Sequence, residues 1–138
     1  MALICDTGPL YAAMDRADAD HRACFDLLAD VREQVVVPSP VLVELDWLSR
    51  RRLGPEPISA FLSEVEAGAI AIADLERDDY LRVRELLDGY ADLRLGFVDA
   101  AVLAIVERLR EVKLATLDHR HFRVMRPRHV EALELLPA

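Results

Sequence analysis

The sequence predicts an α/β fold: a three-layer α/β/α sandwich around a mainly parallel central sheet of four to five strands. Short apolar runs recur at residues 2–5, 35–37, 69–73 and 112–116. The first three are continuous rather than alternating, the pattern of a strand covered on both faces, and the fourth is interrupted by Lys113. Between the runs lie segments with helical apolar spacing, long enough to cross over the sheet and return in parallel.

The elements follow in order. The first run ends in Asp6-Thr7-Gly8-Pro9, a turn into a short helix that has Pro9 near its start and carries Leu10, Tyr11, Ala13 and Met14. Asp18 or Asp20 then caps a second helix, whose inner face is Cys24, Phe25, Leu27 and Leu28. Pro38 and Pro40 stop the second strand. From Pro40 a helix runs through Val41, Leu45 and Leu48 into Arg50-Arg51-Arg52, and Gly54, Pro55 and Pro57 end it. Residues 58–67 make another, with a stripe of Phe61, Leu62 and Val65. Residues 75–88 are amphipathic: Tyr80, Val83, Leu86 and Leu87 face in, and Arg77, Arg82, Arg84 and Glu85 face out. Residues 90–95 form a loop. The helix from Gly96 is apolar all round from Ala100 to Val106, which predicts a central, buried position. The fourth strand closes in Leu117-Asp118, and an Arg- and His-rich tail follows, with a last short strand at residues 132–136. No repeat or linker divides the chain, so residues 1–138 read as one domain.

The chain is 138 residues long, enough for an ordinary core. Its hydrophobic fraction of 53% is high enough to suggest that some apolar surface is kept for a partner. A net charge of -8 opposes long-range attraction to a polyanion unless cations cluster locally or metal ions offset the acids. Cys5 and Cys24 sit among apolar neighbours and read as reduced core residues of a cytoplasmic protein. No signal peptide or uncharged apolar stretch of bilayer length is present, so no membrane partner is expected.

Asp99 is a charge where the pattern least accepts one. Val102, Leu103 and Val106 follow it at i+3, i+4 and i+7, so its carboxylate shares a face with core residues. An acid near a helix start is favoured by the helix dipole, and that alone accounts for an isolated case. Asp99 is not isolated. Asp6 directly follows the first strand and Asp118 the fourth, neighbouring positions in doubly wound sheets, where ligands bind at strand carboxyl ends. Glu44, with Val41, Leu45 and Leu48 at helical spacing, is expected on the apolar face of its own helix. Converging acids repel and raise one another's pKa unless a cation joins them, and hard Mg2+ or Mn2+ suits an all-carboxylate set. Such a set supports metal-assisted hydrolysis of a phosphodiester. Asp92 is a weaker fifth acid, a loop or cap residue or a support behind the ligands. No Walker loop, dinucleotide fingerprint or nucleophile elbow is present. His119 and His121 lack the cysteine or histidine partners of a zinc site and read as solvated or as RNA contacts.

These residues resemble a known family. Asp6-Thr7-Gly8 after the first strand, Glu44 in Val-Leu-Val-Glu-Leu, Asp92 and Asp99 in Ala-Asp-Leu-Arg-Leu-Gly-Phe-Val-Asp-Ala-Ala, and Thr116-Leu-Asp118 before His-Arg-His-Phe are similar to the PIN domain. More narrowly, the chain resembles the VapC-type toxin ribonucleases of bacterial type II toxin–antitoxin pairs. The resemblance implies a PIN-like fold, Mg2+-dependent endoribonuclease activity, a homodimer and a small cognate antitoxin. It makes Asp6 and Asp99 the principal metal ligands, with Glu44 and Asp118 completing the pocket and Thr7, Asp92 and Thr116 supporting it. The common family variant carries Ser where Gly8 stands, so one hydroxyl is missing here.

An acidic protein needs local cations to hold RNA. Arg50 and Arg51 at the end of the Glu44 helix, and Arg120 and Arg123 after Asp118, are the candidate phosphate clamps; solvated surface is the other reading of each. A receiver domain would need an acidic pair after the first strand and a lysine at a late strand end. Asp6 stands alone, and the sole lysine, Lys113, lies at the start of its strand and not at the end. A haloacid-dehalogenase-like phosphatase would need a second aspartate in Asp6-Thr-Gly8. A PIN fold kept only for binding would not require all four acids.

Overall fold

A computed structural model describes Met1–Ala138. Five strands, β1 (Ala2–Cys5), β2 (Gln34–Pro38), β3 (Ile70–Ala73), β4 (Lys113–Ala115) and β5 (Glu134–Leu136), form one sheet in the order β3-β2-β1-β4-β5. Every pairing is parallel. All four residues of β1 are buried, as a central strand requires, whereas β3 and β5 at the edges are only partly covered.

The chain steps outward from β1 to β2 and β3, then jumps back to the other side of β1. Right-handed crossovers therefore put the first helices on one face and the later ones on the other. On the first face, α1 (Thr7–Met14) packs on α2 (His21–Asp30) and α3 (Ser39–Leu53), and α3 packs on α4 (Glu56–Glu66). In the return crossover, α5 (Arg77–Gly89) packs on α6 (Phe97–Leu109). The residues from Ala100 to Val106 are all buried, because α6 lies between the sheet and α5. Gly54, at φ 88°, ends α3 in a conformation that other residues rarely adopt.

The helix faces depart from expectation in specific places. Phe25, Leu62 and Tyr80 were expected inside, and all three are exposed. In α5 the inner stripe is Asp79, Val83 and Leu86, at i, i+4 and i+7, which turns Tyr80 outward. Asp79 anchors that rotation: its carboxylate caps the Glu76 N–H and accepts from Arg108 at 2.9 Å. Arg82, expected to face out, is instead mostly buried against Glu107. Residues 90–95 hold a 3-10 turn, Ala91–Leu93. The tail holds a helix that the sequence did not reveal, α7 (His119–Val124), fixed by the buried Phe122 and by Met125 just beyond it.

Candidate active site

The sheet reverses direction of growth between β1 and β4, and the acids gather at the carboxyl ends of those two strands. The Asp6 N–H donates to the Ala115 carbonyl at 2.9 Å, so the first residue past β1 is still zipped to β4. Its carboxylate caps α1, accepting from the Thr7 N–H at 2.8 Å and from the Thr116 hydroxyl at 2.9 Å. The same Thr116 oxygen accepts the Asp118 N–H at 3.0 Å. One fully buried hydroxyl therefore sets two of the acids against each other.

Asp6 is 6% exposed, and the charges that bear on it most, Asp99 and Glu44, are both negative. Burial chiefly, and then those neighbours, push its pKa from an ordinary 3.8 up to about 7, against the lowering effect of its two hydrogen bonds. Asp99, in the first turn of α6, is half-buried and shifted the same way, by burial first and by Asp118 next. Asp118 caps α7, accepting from the His121 N–H at 3.2 Å. Thr7 is buried beside Asp6, and its hydroxyl oxygen has no hydrogen-bond partner.

Glu44 corrects one expectation. It is exposed, not buried, since the inner line of α3 is Val41, Leu45 and Ser49. It reaches the acids from the rim, and its charge acts on both Asp6 and Asp99. Asp92 lies exposed on the 3-10 turn and makes no hydrogen bond or ion pair with the acids. Arg50 is tied to Asp46 at 3.1 Å, and Arg51 lies 4.4 Å over the Trp47 ring. Arg120 and Arg123 project from α7 exposed and without ion pairs.

His121, read from the sequence as a solvated residue or an RNA contact, is instead turned toward the acids. Its Nδ1 lies 2.6 Å from Asp118 Oδ2 and 3.7 Å from Asp99 Oδ2. Reading residues 119–124 as a helix would have found it, because a cap at Asp118 brings the third following residue back over itself.

A buried carboxylate without a cationic partner, with an orphaned hydroxyl next to it and further negative charge acting on it, is a place that a divalent cation would stabilise. Cys5 and Cys24 offer no alternative chemistry: both thiols are buried, with pKa values pushed up to about 12 and about 11.

A parallel sheet of this order, with acids at its switch point, defines a class of α/β/α domain built around one carboxylate pocket. The chain belongs to the PIN domain family, whose model matches residues 3–127. It is 34% identical over 125 residues to ribonuclease VapC26 of Mycobacterium tuberculosis, covering 91% of this chain and 93% of that protein. Among solved structures it is similar to M. tuberculosis VapC20, described as a Sarcin-Ricin loop cleaving toxin, with a TM-score of 0.75 and 22% identity over 81% of this chain and 86% of that one. It is also similar to VapBC2 from Rickettsia felis bound to a DNA fragment from their promoter, with a TM-score of 0.68 and 18% identity over 98% of each chain. No helix is long and apolar enough to cross a membrane.

Proposed function

We propose that this chain is a divalent-metal-dependent endoribonuclease, the toxin of a VapBC-type pair. The observation that carries the reading is Asp6, a buried carboxylate held in place by Thr116 and surrounded by negative charge. Asp6 and Asp99 hold a Mg2+ or Mn2+ ion, with Glu44 and Asp118 completing the pocket directly or through water. A bound ion of this kind lowers the pKa of a water and offsets charge on the scissile phosphate. The chain supplies the rest. Thr116 fixes the angle between Asp6 and Asp118, the apolar flank of α6 keeps Asp99 from swinging, and Glu44 at the open rim meets the substrate side. Arg120 and Arg123, free of intramolecular partners, are the better placed phosphate contacts; Arg50 and Arg51 are partly occupied by Asp46 and Trp47.

The relative's name supports RNA as substrate, and the VapBC2 complex supports an antitoxin as partner; the setting we propose is the cytoplasm. Val43, Trp47, Tyr80 and Phe97 are exposed around a groove of about 800 Å³ that also reaches Glu44. Apolar surface of this extent supports a homodimer or an antitoxin segment lying over it. The test is cleavage of RNA by the purified chain with Mg2+ or EDTA, beside Asp6→Asn and Asp99→Asn. Activity is expected to vanish under EDTA and in both variants; cleavage that survives all three overturns the reading.

A further inference from the structure

The four-carboxylate reading leaves His121 without a role, although its ring sits between two of the acids. We infer that His121 is a nitrogen donor to the ion held at this rim, and that Asp99, Asp118 and His121 together favour a first-row divalent ion over Mg2+. This rests on the metal-dependent reading above.

The three donor atoms lie within 4.8 Å of one another. Donors to one ion lie at most roughly 4 Å apart, given metal–ligand distances of about 2 Å, so closing the widest pair takes a side-chain movement of about 1 Å. The ring is held by its own helix as well as by its contacts. The His121 N–H is committed to Asp118, the His121 carbonyl accepts from the Met125 N–H at 3.0 Å, and the adjacent Phe122 is buried. Had His121 served only to hold Asp118, that one contact at 2.6 Å would suffice. Instead the same nitrogen also faces Asp99, which arrives from a different helix.

The donor chemistry then separates the ions. Mg2+ favours oxygen ligands in a near-ideal octahedron and gives up its water reluctantly, so an imidazole adds little to its binding. First-row transition ions accept imidazole nitrogen readily, so one nitrogen among the oxygens strengthens their binding selectively. Binding would use the Nδ1 lone pair, so the hydrogen bond between Nδ1 and Asp118 would give way to shared coordination and the ring proton would sit on Nε2.

The test is pulsed electron paramagnetic resonance of the purified chain loaded with Mn2+, with no substrate present. Nitrogen coupling from a bound imidazole is expected in the wild type, kept in His119→Ala and lost in His121→Ala. Mn2+ affinity relative to Mg2+ is expected to fall about tenfold in His121→Ala. Bound Mn2+ without nitrogen coupling in the wild type, or coupling that persists in His121→Ala, overturns the inference and leaves the nuclease reading standing. Failure of the wild type to bind either ion overturns both. Should His121→Ala not fold, His121→Asn, which keeps a polar side chain beside Asp118, carries the same test: coupling lost supports the inference and coupling kept overturns it.

Discussion

The two ends of α6 treat acids in opposite ways. At its C-terminal end Glu107 receives a two-pronged hydrogen bond from Arg82, at 2.7 and 3.0 Å, and a third from the Arg128 N–H at 2.9 Å. Beside it Arg108 joins Asp79 at 2.9 Å, Glu76 at 3.3 Å and the Asp74 carbonyl at 2.7 Å. At the N-terminal end Asp99 meets Asp118, Glu44 and one imidazole, and Asp6 behind it meets no cation. One end is a lock that ties α5 and the tail to the core. The other is electrostatically incomplete, and an incomplete cluster on a rigid mount is where added charge binds.

The difference can be broken from either side. The largest effect is on turnover: Asp99→Asn is expected to lower RNA cleavage at least ~100-fold with little loss of stability. Glu107→Gln, two turns along the same helix, should leave cleavage nearly intact. Assaying both variants beside urea unfolding checks the split, and equal loss of activity in the two would erase the distinction.

Next is a pH effect specific to Asp6. Its carboxyl titrates near 3.8 in the unfolded chain and near 7 in the folded one. Between those values the folded state holds the extra proton, so stability falls as pH rises. The contribution is present in full below pH 3.8 and gone above about 7, with a ceiling of about 4 kcal/mol at 1.36 kcal/mol per pKa unit. Unfolding of metal-free wild type and Asp6→Asn across this range should show a steeper decline in the wild type, and loading the wild type with metal should raise its stability near neutral pH and remove that decline.

Arg82→Ala should cost about 3 kcal/mol, since it strands Glu107 largely buried. Its residual cleavage, measured below the unfolding transition, should keep the same metal requirement. Thr116→Val is the smallest of the four: about tenfold in cleavage, by freeing Asp6 and Asp118 from their shared hydroxyl, with the midpoint of thermal unfolding lowered by a few degrees.

Much of this was legible in the residues. Apolar runs located the first four strands, β1 because it is covered on both faces and β3 although it lies at a partly covered edge, and the run of buried residues in α6 announced its position. Asp6 and Asp118 could be read as strand-end acids. Glu44 and Tyr80 show where the reading failed, and for one physical reason. Periodicity reveals that a helix has an apolar stripe but not what the stripe will touch. In α3 the line Val41-Leu45-Ser49 enters the core, while Val43 and Trp47 stay outside with Tyr80 and Phe97. Apolar residues that face a groove imitate core residues in a sequence. The tail failed differently: α7 is six residues long and crowded with cations, so its two apolar anchors, Phe122 and Met125, formed no visible period.

The hydroxyl that joins Asp6 to Asp118 has a consequence for synthesis. Asp6 and Thr116 are 110 positions apart in the chain. A chain emerging from the ribosome presents Asp6 early and Glu44 soon after, yet β1 has no β4 beside it, and Thr116, Asp118 and His121 have not been made. The pocket comes into being only once β4 and Thr116 have been made. An unfinished copy therefore has half a pocket: Asp6 and Glu44 without the hydroxyl and the acid that complete it.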